Sequence, residues 1–209
     1  VEFVGDTAAI YRANLHLRTA SRVLLRMGNF HAAAFSELKR HTQNLPWKQY
    51  LRPGQNVAVR VTCHKSRLYH SSAVARDVIA AISATLGKPV IHSKLDDEQP
   101  CAGAQLILVR LTNDHCSISI DTSGQLLHRR GYRLETAKAP LRETLAAGLL
   151  FASGWDSASP LMDPFCGSGT IAIEAAMFAN HIPPGIFRKF SFMDWPGYDQ
   201  DLMASILAL

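Results

Sequence analysis

The sequence predicts two architectures in series: a small α+β module, then the opening of a doubly wound α/β domain. Three observations predict this. After two N-terminal helices, the first 133 residues run strand, helix, strand, strand, the order of an α+β unit. Pro160-Leu161-Met162 reads as the end of a buried strand that passes through a glycine turn into an apolar helix. Formal charge divides between the same two regions, net +9 over residues 1–133 and −4 over residues 134–209. A basic front half is suited to meeting a polyanion.

Taken in order, Thr7 can cap a helix that runs to about Met27, where Gly28-Asn29 supplies a stop. Arg18, Arg22 and Arg26 stand four apart and share a face of that helix, either solvated or turned to phosphates. A second helix is expected over residues 31–40. The run from Val57 to Cys63 alternates, with Val57, Val59, Val61 and Cys63 inward and Arg60 and Thr62 outward. Val74, Val78, Ile82 and Leu86 form one stripe of a helix over 72–86 that Gly87 closes. Residues 105–111 and 116–121 read as strands joined around Asn113-Asp114-His115, and Asp121-Thr122-Ser123-Gly124 as a turn. Leu127-His128-Arg129-Arg130-Gly131-Tyr132-Arg133 is the densest cationic segment, fit for an interdomain linker or for contact with unpaired bases and phosphates. Residues 140–151 then read as a helix and 153–159 as a loop.

Several function classes are excluded on composition. Cys63, Cys101, Cys116 and Cys166 form no C-x-x-C pair and no zinc spacing, so reduced thiols in a cytoplasmic protein are expected and no metal site. No apolar run reaches the roughly 18 residues of a membrane span. The first residues lack the features of a signal peptide.

The chemistry concentrates in Asp163-Pro164-Phe165-Cys166-Gly167-Ser168-Gly169-Thr170, followed by an apolar helix over 171–179. Gly167 and Gly169 permit a tight turn and close backbone approach, and the helix start offers unpaired amides. A P-loop requires a Lys after its glycines, and none follows here. Gly167-Ser168-Gly169-Thr170-Ile171-Ala172 satisfies a dinucleotide fingerprint, but four residues including Asp163 separate its first glycine from the strand. A carboxylate at the strand's end would repel a pyrophosphate and attract an ammonium group. S-adenosylmethionine offers an ammonium and a sulfonium and no phosphate, so it is the expected ligand.

Arg130-Gly131-Tyr132-Arg133, Ala139-Pro140-Leu141-Arg142-Glu143-Thr144-Leu145-Ala146-Ala147, the glycine loop and Ile173-Glu174-Ala175-Ala176 together resemble the THUMP-containing RNA methyltransferases. The similarity is closest to the bacterial enzymes that methylate a guanine exocyclic amine in large-subunit ribosomal RNA. It extends upstream through Arg18-Thr19-Ala20-Ser21-Arg22-Val23-Leu24 and downstream to Phe192-Met193-Asp194-Trp195. The resemblance implies a THUMP-containing RNA-binding region over 1–133 and the N-terminal portion of a Rossmann-like class I methyltransferase domain over 134–209. It implies that Asp163 meets the donor's amino group, that residues 163–170 form the donor site, and that Pro140, Leu141 and Glu143 lie beside it. Arg60, Lys65, Arg67, Arg129, Arg130 and Arg133 are the candidate RNA contacts, with ribosomal RNA favoured over transfer RNA. Glu174, a carboxylate in an apolar helix, is expected to be satisfied at the edge of the core or to touch ligand. Cys166 is expected to pack rather than act as a nucleophile.

Family members that methylate exocyclic amines share a later Asn/Asp-Pro-Pro-aromatic loop, which grips a base taken out of its stack. Asn180-His181-Ile182-Pro183-Pro184-Gly185 mimics it, but two residues separate Asn180 from the prolines and no aromatic residue follows. Only 39 residues follow Thr170, and Asp194 and Asp199 qualify as ribose-binding acids by distance alone. The expectation is therefore an incomplete portion of a methyltransferase, inactive by itself. The rival expectations are an RNA-binding protein with a vestigial methyltransferase segment and a DNA adenine methyltransferase.

Overall fold

The computed structural model describes residues 1–93, 95–96, 99–100, 103–133 and 141–208. The chain divides into two compact units. One comprises Val1–Val23, Gln125–Lys189 and Gln200–Leu209; the other comprises Leu24–Gly124 and Phe190–Asp199.

Helix α1 spans Thr7–His16, with the Asp6 carboxylate accepting the Ala9 amide as its cap. It stops well short of Met27, because Leu17 is already extended and Leu24–His31 forms strand β1. The Arg18, Arg22, Arg26 helical face therefore does not exist: Arg18 follows α1 and Arg26 lies on β1. Gly28 is not a stop either. It sits at a register shift in β1, and a side-chain carbon there would come within 2.7 Å of Leu45 Cδ2.

The second unit continues with α2 (Phe35–Gln43), β2 (Asn56–His64), α3 (Ser71–Leu86), β3 (Ile91–His92), β4 (Leu95–Asp96), β5 (Gln99–Pro100), β6 (Gln105–Thr112) and β7 (His115–Asp121). Among the described residues these strands form a five-stranded sheet, ordered β1-β7-β6-β2-β3, and a small β4-β5 hairpin. β2 runs parallel to β6 with Val59 opposite Ile107, a pairing that α3 makes possible as the crossover. β6 and β7 are antiparallel, joined by Asn113 and Asp114 at φ 50° and 62°, the left-handed pair that a two-residue hairpin needs. Val57, Ile107, Val109, Ile118 and Ile120 are fully buried, as are Val74, Val78 and Ile82 of α3. Ala58 and Leu106, on the opposite face, are buried as well, so this part of the sheet is covered on both sides. The 190–199 segment locks to the start of the central strand β6: the Ser191 hydroxyl and Trp195 Nε1–H both donate to Gln105 Oε1 at 2.9 Å.

In the first unit, α4 (Glu143–Ser153) packs against α5 (Thr170–Ala179), with Ala146, Ala147, Leu150, Ala175 and Met177 buried. Their small residues let the two backbones approach. α1 packs against α6 (Gln200–Leu207), burying Tyr11, Leu15, Met203 and Ile206. Residues 160–162 are not a strand, and Leu161 and Met162 are exposed. Among the described residues, no helix is long and apolar enough to cross a membrane.

Candidate donor-binding loop

Short-range contacts shape part of residues 163–170. Asp163 Oδ1 accepts the Phe165 amide at 3.1 Å, and the Gly169 amide donates to Cys166 O at 2.7 Å. Gly167 and Gly169 stand at φ 53° and 74°. A side-chain carbon at either would meet nothing closer than 3.9 Å, so backbone conformation rather than crowding selects glycine. Gly169 is also the N-cap of α5, and its carbonyl accepts the Ile173 amide at 2.9 Å. The first-turn amides of α5 lack intrahelical acceptors. Asp163 is half-buried, while Pro164, Phe165, Cys166, Gly167 and Ser168 are exposed. Cys166, expected to pack, is at the surface instead, within a run of exposed residues from Pro164 to Ser168.

This donor set fits a cationic amino acid better than a phosphate. Asp163 retains its second carboxylate oxygen beyond the one bound to Phe165, and the loop itself carries no basic side chain. Backbone at the two glycines is open to close approach.

Two arginines expected at the surface are turned inward. Arg130 is 2% exposed, and its Nε donates to Glu174 Oε1 at 3.2 Å. Its other nitrogens donate to Glu174 Oε2, Leu127 O and Arg18 O. Arg130 is thus corrected from an RNA contact to an interior cation, paired because a buried carboxylate requires it. Glu174 also accepts from the Tyr132 hydroxyl at 3.3 Å and lies 3.9 Å from Arg18 Nη1, so it is a satisfied interior carboxylate. Burial, with Glu174 and Glu143 nearby, pushes the Tyr132 hydroxyl pKa well up. Arg133 is spoken for as well: it pairs with Glu143 at 2.9 Å and donates to Ser168 Oγ and Thr170 Oγ1.

Arg133 and Glu143 also line a cleft of about 570 Å³, with His128, Arg129, Leu141 and Arg142. Burial draws the His128 pKa below its ordinary value, against the opposing pull of Glu143. Pro140, expected beside the donor, lies outside the described residues. Arg129 is exposed.

In the sheet unit, Arg60 is half-buried on β2, whereas Lys65 and Arg67 are exposed. Arg67 pairs with Asp114 at 3.6 Å, and its amide donates to Asp114 Oδ1. Tyr69, not singled out from the sequence, is 67% exposed, its ring 4.0 Å from that of His70. Its signal was present as the ring pair Tyr69-His70, one residue beyond Lys65-Ser66-Arg67.

Comparison with known families tiles most of the chain. Residues 1–24 match the RlmL ferredoxin-like domain, 32–121 the THUMP domain, and 130–206 the RMKL-like methyltransferase domain. The chain thus joins a THUMP-domain segment to an RMKL-like methyltransferase-domain segment. A Synechocystis protein named "Putative RNA methyltransferase slr0064" is 40% identical over 99% of this chain and 54% of its own length. Among solved structures, a "predicted N6-adenine-specific DNA methylase from Listeria monocytogenes" superimposes with a TM-score of 0.82 at 36% identity, over 96% of this chain and 52% of that one. Another, titled "a putative methyltransferase complexed with SAH", gives 0.79 at 32% identity, over 97% and 53%. The chain spans about half the length of the relatives it matches. Within the family match, the glycine loop and α5 fall in the methyltransferase segment and α2 to β7 in the THUMP segment. Asp194 and Asp199 belong to the sheet unit, not to the unit that contains the glycine loop. Asn180 is a helix C-cap whose side chain donates back to Ala176 O at 2.8 Å, a capping role that agrees with setting aside the Asn180–proline sequence as a base-gripping loop.

Proposed function

We propose that this chain serves S-adenosylmethionine-dependent methylation of RNA, with a guanine exocyclic amine in ribosomal RNA as the target. The glycine loop carries the proposal, since its Asp163 carboxylate, two left-handed glycines and open helix start suit the donor's amino-acid portion. A structural neighbour 32% identical to this chain is described as complexed with SAH, the demethylated product of that donor. Bound there, S-adenosylmethionine would supply an electrophilic methyl group to an amine nitrogen. The chain's own work would be to hold it: Asp163 would meet the ammonium, the backbone of residues 167–169 would support the methionine portion, and Leu141 and Glu143 would stand beside the site. The front region, residues 1–133, is the RNA reader, with Lys65, Arg67 and exposed Tyr69 offering charge and a stacking face. A cytoplasmic setting accords with the reduced thiols.

A DNA adenine target is the second reading, favoured by the name of one structural neighbour. The THUMP segment and the name of the Synechocystis relative favour RNA. The deciding experiment incubates the full-length protein with labelled S-adenosylmethionine and either ribosomal RNA, transfer RNA or duplex DNA, followed by nucleoside mass spectrometry. N2-methylguanosine from ribosomal RNA is expected. Methyladenine from DNA would replace this proposal with the second reading. Filter binding of RNA should also weaken steeply with salt if the front region tracks phosphates.

A further inference from the structure

We propose that Arg133 is a positioning residue that holds the glycine loop in its binding shape through Ser168 and Thr170, rather than an RNA contact. This assignment rests on the donor role proposed for that loop.

The geometry spans one guanidinium and three partners. Arg133 Nε donates to Glu143 Oε1 at 3.0 Å, and Nη2 approaches the same oxygen at 2.9 Å. Nη1 donates to Ser168 Oγ at 3.2 Å and Nη2 to Thr170 Oγ1 at 3.1 Å. The two hydroxyls are themselves 3.3 Å apart. Ser168 and Thr170 flank Gly169, the left-handed residue from which α5 starts. Among the described residues, the backbone contacts within the loop are local, from Asp163 to Phe165 and from Cys166 to Gly169. Arg133 supplies the long-range tie, fastening the loop to the first turn of α4 from 35 residues away in sequence.

The charge arrangement explains why the tie can stand beside a cationic ligand. An unpaired guanidinium there would repel an ammonium or sulfonium group. Glu143 neutralises it, and with side-chain exposures of 16% and 7% the pair is shielded from water. The same neutralisation leaves Arg133 with little to offer an RNA phosphate. The wide planar fork of Arg reaches Glu143 on one side and the two hydroxyls on the other, a span that the compact ammonium of Lys does not match.

Two variants separate this role from a merely structural one. Arg133→Lys keeps a positive charge for Glu143 but loses the fork. Ser168→Ala combined with Thr170→Val leaves the Arg133–Glu143 pair intact and removes the loop's side of the tie. Peptide-resolved hydrogen exchange on the full-length protein should show residues 166–171 exchanging roughly tenfold faster in both variants, as expected for loss of two modest hydrogen bonds. S-adenosylhomocysteine measured by calorimetry should bind about tenfold more weakly, while RNA retention on filters stays unchanged. Unaltered exchange in both variants would overturn the proposal, as would an RNA loss in Arg133→Lys that the double variant does not share. Failure of the unmodified protein to bind S-adenosylhomocysteine would refute the donor role of the loop. The exchange result would then still decide whether Arg133 orders the loop.

Discussion

Removing the Glu174 carboxylate should be among the most damaging single changes to the first unit. Glu174 is 1% exposed and faces Arg130, which is 2% exposed, so Glu174→Ala strands a guanidinium in the interior. Breaking such a pair by deleting one partner costs about 3–5 kcal/mol. Arg130 keeps two backbone acceptors, Leu127 O and Arg18 O, and Arg18 keeps Ile182 O at 2.8 Å. These retained bonds place the loss at the low end, about 3 kcal/mol. Glu174→Gln retains one acceptor for Arg130 Nε and should lose roughly half of that. Urea denaturation followed through Trp155 is a suitable assay, because its ring lies 6.2 Å from that of Phe178 on α5. With a slope of about 2 kcal/mol per molar urea, Glu174→Ala should lower the midpoint by about 1.5 M. A loss below about 1 kcal/mol for Glu174→Ala would show that water or a rearranged partner already serves Arg130, and would refute the buried-pair account.

Gly131 is at φ 94° and a side-chain carbon there would stand 2.5 Å from Phe187 O, so Gly131→Ala should cost about 2–3 kcal/mol in thermal melting. Gly154, at φ 69° with open space around it, is the control and should lose about 1 kcal/mol on the same change; equal losses would rule out the close approach. Alkylation at pH 8 followed by peptide mapping should modify exposed Cys166 first, whereas Cys116, fully buried with its thiol pushed up to about 12, should react only on unfolding. Because burial lowers the His128 pKa, the unfolded chain takes up that proton more readily, so stability should fall as pH drops below about 6.5. His128→Asn should flatten the melting temperature between pH 7 and pH 5.5, and an unchanged slope would exclude His128 as a contributor.

What was legible in the sequence was what neighbouring residues decide among themselves. The stripe of Val74, Val78 and Ile82, the αL stop at Gly87 and the Asn113-Asp114 hairpin all appear as expected, since each follows from local period or backbone preference. The arginines at 18, 22 and 26 fit a helical period, which extends the expected first helix over the start of β1, as far as Met27. The actual state of β1 is set by antiparallel pairing with β7, some 90 residues later, which no local pattern reveals. Arg130 and Arg133 looked like surface cations for the same reason. Their partners Glu174 and Glu143 are 44 and 10 residues away and become partners only through the packing of α4 and α5. One clue was available in Glu174, a lone carboxylate in an apolar helix that has to be paired or exposed.

The same distinction bears on the doubly wound architecture. A strand exists only with a partner, and among the described residues none pairs with 160–162; Met162 is 86% exposed. The glycine turn forms regardless, because Asp163, Gly167 and Gly169 encode it locally. The helices beside it point the same way. α4 exposes Leu145 and Leu149 one turn apart, and α5 exposes Ile173, on faces that a water-exposed helix would make polar. Helices that are apolar all round are interior elements. The architecture therefore rests on the locally encoded turn and on the composition of the two helices that flank it, and both are independent of whether residues 160–162 find a partner.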